Sequence, residues 1–249
     1  FTTLTANTGA IDLANSGTST TTGVVTTANG IQLTSAGNLT IGGALTFGAS
    51  SSLSSQNNIT VSAAVSRSSS TGSLALNALN RLTVASTIGT VSGALNVMLT
   101  AGAGGMALNG AIATNGGSLA LSSGGNVTQS TAFTAGALSL DGSGGAYTLT
   151  NAGNSFTSLS GTTSSISLVK GTTTATSIGA VTTDTAFSFT SGGNISIDSP
   201  VSVGTTFTLS TTGSVTQTAA FSANALVLNG AGGSYTLTES NNNFASLSG

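Results

Sequence analysis

The sequence predicts an all-β fold: a right-handed parallel β-helix (a β-solenoid), with three faces per coil, as a single repeat segment over residues 1–249. Three observations predict it. A passage is written twice, since residues 125–161 return at 213–249 with about 23 of 37 aligned positions identical, mostly apolar residues and glycines. Short apolar-x-apolar triplets recur along the whole chain, and glycine- or asparagine-containing pairs separate them. Self-similarity of this kind marks a stack of equivalent units, not a globule around one pocket.

The triplets justify the strands in order. Ile11-Asp12-Leu13, Ile31-Gln32-Leu33, Leu39-Thr40-Ile41, Ile59-Thr60-Val61, Leu74-Ala75-Leu76, Leu82-Thr83-Val84 and Leu119-Ala120-Leu121 fill the first half. The second half has Leu138-Ser139-Leu140, Ile166-Ser167-Leu168, Phe187-Ser188-Phe189, Ile195-Ser196-Ile197, Phe207-Thr208-Leu209 and Leu226-Val227-Leu228. Successive strand side chains point to opposite faces, so the outer two of each triplet turn inward and the middle one meets solvent. Gly-Gly, Gly-Asn, Asn-Gly and Ser-Gly pairs supply the backbone freedom that tight corners require. No stretch combines helical spacing with caps, and Ser, Thr, Gly and Val are poor helix formers. Pro200 follows Asp198-Ser199 between triplets, where it costs no ladder bond.

The doubling extends upstream, because Gly105 to Ile112 matches Gly193 to Val201 with one slip, giving a superrepeat of about 104–161 and 192–249. Apolar centres from Val127 to Val215 advance by ~10 residues, about nine steps per superrepeat, which divides into three coils of three faces at ~29 residues each. A competing count runs through Val127, Tyr147, Ile166, Phe187, Phe207, Leu226 and Leu247 at ~20 residues per coil. Eight to twelve coils at ~4.8 Å would make a rod on the order of 40–60 Å. Phe133/Phe221, Tyr147/Tyr235 and Phe156/Phe244 are equivalent pairs, expected to fill core or corners.

Charged residues are 3% of the chain, against roughly 25% in ordinary soluble proteins. The eight are Arg67, Arg81, Lys170, Asp12, Asp141, Asp184, Asp198 and Glu239. With net charge -2 and no basic cluster, phosphate-backbone binding has no electrostatic source, so a nucleic-acid partner is not expected. Mean hydropathy of +0.36 and patterned apolar residues argue for a folded chain. Weak surface charge favours homotypic association. Cysteine and histidine are absent, which removes disulfides, thiolate metal sites, cysteine nucleophiles and histidine acid–base chemistry. The start, Phe1-Thr2-Thr3-Leu4, is neither an initiator nor a charged leader, so the segment is expected to be a piece of a longer chain.

A carboxylate pair for glycan chemistry requires two acids on neighbouring coils. The repeat alignment places Asn229 opposite Asp141, Asn109 opposite Asp198 and Asn151 opposite Glu239, turn slots where acid or amide caps the backbone equally well. Asp12 and Asp184 are isolated. No catalytic, cofactor-binding or metal-ligating residues are therefore expected. Leu140 to Gly145 holds one imperfect copy of a glycine-aspartate calcium pattern, too little charge for a hard cation. Asn38, Asn58, Asn126 and Asn194 head formal glycosylation sequons, and each sits just before a triplet as a turn residue or amide ladder. The threonine runs Thr18–Thr22 and Thr172–Thr176 offer an ice-binding array only if they keep coil-to-coil register, and both are expected in insertions.

The phrases Gly125-Asn126-Val127-Thr128-Gln129, Ala137-Leu138-Ser139-Leu140, Tyr147 to Phe156 and Gly193 to Ile197 resemble the shaft of bacterial filamentous-haemagglutinin-like exoproteins. These are the two-partner secretion and autotransporter adhesins. The resemblance implies secretion through an outer-membrane transporter and display at the bacterial cell surface or in the extracellular space. It also implies a non-catalytic structural role in adhesion, aggregation or biofilm, with any host-cell or glycan receptor bound outside this segment. The alternative is a subunit of a self-assembling extracellular filament or sheath; a carbohydrate-active β-helix and an ice-binding protein are the lesser alternatives.

Overall fold

The computed structural model describes residues 1–70 and 72–249. It contains 29 β-strands and, among the described residues, no helix. Between the two end windings, strands pair in parallel with strands one winding below and one winding above, so the backbone groups of one coil are satisfied by its neighbours. The result is a parallel β-solenoid of about twelve turns.

Three interior columns run along the axis. One passes through Leu39, Ile59, Leu82, Met106, Val127, Tyr147, Ile166, Phe187, Phe207, Leu226 and Leu247, each in register with the next. A second passes through Leu33, Leu53, Leu76, Leu99, Leu121, Leu140, Gly161, Val181, Val201 and Phe221. The third runs through Val25, Leu45, Val65, Ile88, Ile112 and Phe133, and a third face continues at Thr176, Ile195, Val215 and Tyr235. The triplet parity is plain in the middle windings: Ile31 and Leu33 are buried with Gln32 exposed between them, and Leu74 and Leu76 are fully buried around Ala75.

Windings are 19 residues long between Tyr147 and Ile166 and 24 between Leu82 and Met106, so the ~20-residue count is right and ~29 residues per coil is corrected. The three faces are kept, but each takes fewer residues. Two strands, Ala137–Leu149 and Ser158–Lys170, bend through two faces without a break, which hides faces from a count of apolar centres. From Val127 four windings lead to Phe207 in the same column, and Val215 lies one face further on. The superrepeat therefore advances four and one-third turns, not three, and its second copy is displaced one face around the rod.

The local surroundings of the doubled passage are conserved despite that displacement. Gly142 and Gly230 both have φ +127°, and a Cβ at either would fall 2.0 Å from the Ser123 carbonyl oxygen or 1.8 Å from that of Thr211. Only glycine fits that corner. The Tyr147 hydroxyl donates to the carbonyls of Leu121 (3.2 Å) and Asp141; the Tyr235 hydroxyl meets Leu209 (3.3 Å) and Asn229 in the same way. From Phe133 onward ring contacts link Phe156, Phe189, Phe187, Phe207, Phe221 and Phe244, with centroids 5.2–6.5 Å apart. Such spacings favour offset-stacked and edge-on pairs.

The run Thr18–Thr22 is not an insertion, as the sequence suggested. It enters the strand Ser19–Thr27 with Thr20 and Thr22 turned into the core, because strand parity carries them inward. Thr172 to Thr174 do lie in an enlarged corner, whereas Thr176 is buried.

Candidate functional site

The polar chemistry of this rod includes its acids, its corner amides, two buried cations and a buried amide knot. The acids are dispersed. Asp12 is exposed and paired in register with Gln32; Asp141 is exposed between Ser122 and Thr162 of adjoining windings. Asp198 accepts hydrogen bonds from the Ser177 and Ser196 hydroxyls, and Asp141 from Ser139 at 2.9 Å. Asp184 is exposed at a corner and Glu239 is half-buried near the C-terminal end. Among the described residues no three acids gather in a cluster that would hold a metal ion. Of the acids that the repeat alignment assigned to turn slots, Asp141 and Asp198 accept from serine hydroxyls and, among the described residues, not from backbone N–H groups, and Asp141 lies within the strand Ala137–Leu149.

The four sequon asparagines act as corner clamps between windings. Asn38 Oδ1 accepts from the Asn58 side-chain amide at 3.0 Å, and Asn58 Oδ1 accepts from Asn80 at 3.0 Å and from the Arg81 backbone N–H at 3.2 Å. Asn126 Oδ1 takes the Ala146 N–H at 3.2 Å and Asn194 Oδ1 that of Ser214 at 3.0 Å. An amide here satisfies a corner donor one coil away that no strand partner reaches.

Sequence reasoning named Arg67 and Lys170 as charges but missed where they go. Both are 0% exposed. Arg67 follows Val65 at the inward parity of the strand Val65–Arg67, between Phe47 below and Thr90 above in register. Its guanidinium donates to the carbonyls of Gly72 (3.1 Å), Ala94 (2.7 Å) and Ser92 (2.7 Å) and to Thr90 Oγ1 (3.1 Å), while Nε is buried without a partner. Lys170 ends the inward series Ile166, Leu168, Lys170. Its ammonium donates to the Thr174 carbonyl and to Thr176 Oγ1 at 2.7 Å, and lies 5.7 Å from the centre of the Phe156 ring. Burial lowers both pKa values, because the charged form loses solvation. Each cation knots an enlarged corner by gathering several carbonyl oxygens there. The signal available in sequence was parity alone.

A second buried device is an amide knot. Asn154, fully buried, donates to Gln129 Oε1 (3.0 Å) and the carbonyls of Leu149 (3.1 Å) and Val169 (3.1 Å), and accepts from the Phe133 N–H (3.1 Å) and from Gln129. Gln217 and Asn242 repeat it. The clue in sequence was that both amides survive in both copies at the same spacing of 25 residues.

The outer surface beside these devices is uniform. The outward side of the second column carries Ser52, Ala75, Met98, Ala120, Ser139 and Ser160, a shallow strip of small side chains in which Met98 alone is large.

Comparison with known proteins fits this picture. The family described as "Repeats of unknown function (DUF5649)" matches residues 96–163 and 198–248, two stretches that hold the two copies of the doubled passage. No curated protein and no solved structure matches the chain.

Proposed function

We propose that this chain is a non-catalytic shaft of a bacterial cell-surface or secreted adhesin, holding adhesive regions away from the cell. The observation that carries the reading is the long interior: two columns keep inward side chains in register winding after winding, from Leu33 to Phe221 and from Leu39 to Leu226, and the buried Arg67 and Asn154 serve backbone corners. Axial hydrogen bonds and stacked apolar columns make such a rod stiff and resistant to proteases. Its weakly charged serine- and threonine-rich exterior suits a spacer. The likeness of its repeat phrases to filamentous-haemagglutinin-like shafts supports export through an outer-membrane transporter. Winding can then proceed outside the cell, since each finished coil templates the next.

Immunogold electron microscopy with antibodies against residues 1–249 tests the proposal. Label along surface projections or shed fibres is the expected result, and label confined to the cytoplasm contradicts it. Turnover of an acidic glycan by the isolated chain, abolished by Asp184→Ala or Asp12→Ala, would replace the shaft with an enzyme.

A further inference from the structure

Four Asn-Gly pairs stand along the rod: Asn29-Gly30, Asn109-Gly110, Asn115-Gly116 and Asn229-Gly230. Asparagine is a labile residue, and most so before glycine, where no side chain hinders attack by the next backbone nitrogen. That attack requires the peptide unit joining the two residues to rotate until the glycine nitrogen reaches the asparagine Cγ. Hydrogen bonds to this unit therefore decide which pair reacts in the folded chain.

Three of the four units are clamped. The Asn29 carbonyl accepts from the Gly48 N–H (2.9 Å), the Ala49 N–H (3.2 Å) and the Thr27 hydroxyl (3.0 Å). The Asn109 carbonyl accepts from the Thr131 hydroxyl at 2.8 Å, and the Gly110 N–H is itself engaged with the Val84 carbonyl at 2.8 Å. Asn229 ends the strand Phe221–Asn229, paired with Ser210, and its carbonyl takes the Tyr235 hydroxyl. Asn115 differs. Among the described residues it is the one non-glycine with a positive φ, +49°, in an exposed turn closed by the Gly117 N–H on the Thr114 carbonyl at 3.1 Å. Neither the Asn115 carbonyl nor the Gly116 N–H takes part in a hydrogen bond among the described residues. Gly116 stands in open space, since a Cβ added there would meet nothing within 4 Å.

We propose that Asn115 is a site of spontaneous deamidation, the Asn-Gly pair that the fold leaves reactive. The Gly116 nitrogen bonds to Asn115 Cγ, the Cγ–Nδ2 bond breaks, and ammonia leaves with the Gly116 proton, giving a succinimide ring. Water then opens the ring at either carbonyl, to aspartate or to isoaspartate. The product alters a built contact. Asn115 Nδ2 donates to the Gly93 carbonyl at 3.2 Å, and the Leu95 N–H donates to the Thr114 carbonyl at 2.9 Å, so the two corners stack. A carboxylate at 115 has no proton to offer Gly93 and repels its carbonyl. The corner so disturbed carries the Ser92 and Ala94 carbonyls that receive Arg67, which links a slow, one-way surface reaction to a buried cation.

The test incubates the folded chain and a urea-unfolded sample at mildly alkaline pH, and peptide mapping by mass spectrometry locates each gain of ~1 Da. In the unfolded sample all four pairs should convert at comparable rates. In the folded chain Asn115 should convert at least tenfold faster than each of the other three. Asn29, Asn109 or Asn229 keeping pace with Asn115 in the folded chain, or Asn115 being protected as fully as they are, would overturn the proposal. Asn115→Gly keeps the turn and lacks the amide. It should abolish the acidic form that ion exchange separates from aged folded protein, and persistence of that form would also overturn the proposal.

Discussion

Asn154→Ala and Asn242→Ala make the same chemical change at equivalent points of the superrepeat, and the structure assigns them different costs. Removing the Asn154 amide strands the Phe133 N–H and takes a donor from the Leu149 and Val169 carbonyls in a dry interior, while the Gln129 head group keeps the Thr131 carbonyl and the Asn151 N–H. An unsatisfied buried polar group costs ~1–3 kcal/mol, and some of these relax toward one another, so a total of about 3–4 kcal/mol is expected. Asn242 is half-buried beneath the open end, where water reaches the freed groups, and about 1–2 kcal/mol is expected there. For a chain of this size 1 kcal/mol moves Tm by ~2–4 °C, which makes Asn154→Ala the larger shift by several degrees. Melting followed by circular dichroism measures the total, and hydrogen exchange shows whether residues 129–156 loosen first. Equal shifts for the two variants, or a loss below ~1 kcal/mol at Asn154, would refute the claim that coverage by the next winding sets the cost.

Other consequences can be checked on the same material. Phe187→Ala, which empties a ring slot between Phe189 and Phe207, should cost about 3–5 kcal/mol in denaturant titration. Lys170→Met leaves the Thr174 and Ala175 carbonyls without their donor, so limited proteolysis should cut within 171–175 while the wild type stays intact there. Burial raises the pKa of both tyrosines, with nearby Asp141 adding to the effect at Tyr147. Their native forms stay neutral where the unfolded phenols ionise, so the stability they contribute is whole below pH 10 and is lost as pH rises beyond it. Absorbance titration should show no half-ionised tyrosine at pH 10 in the folded chain, and Tyr147→Phe should flatten the alkaline loss of stability. Asn58→Ala, breaking the amide ladder from Asn38 to Asn80, should cost ~1 kcal/mol with the fold intact.

The strands and their inward faces were legible because a period of two fixes which side of the sheet each residue meets. Leu74 and Leu76 around Ala75, or Phe187 and Phe189 around Ser188, can be assigned from the triplet alone. Coil length was less legible. Where Ala137–Leu149 turns from one face to the next within a single strand, no break marks the corner, and apolar spacing undercounts faces. Corner asparagines were legible as turn residues, since an amide before a triplet has few other uses. The Arg67 and Lys170 knots were only half legible. Parity points both side chains inward, but the Ser92 and Ala94 carbonyls that receive Arg67 come from the next winding and meet it only through the coil register.

The most direct test of the winding is a distance along one face. The chain has no cysteine, so Thr60→Cys and Thr208→Cys can be spin-labelled without background. These outward positions lie seven windings apart, through Thr83, Ala107, Thr128, Thr148, Ser167 and Ser188. Dipolar electron resonance should return ~34 Å at ~4.8 Å per winding. A distance near ~24 Å, the value for five windings of ~29 residues, would contradict the twenty-residue coil and the one-face advance built on it.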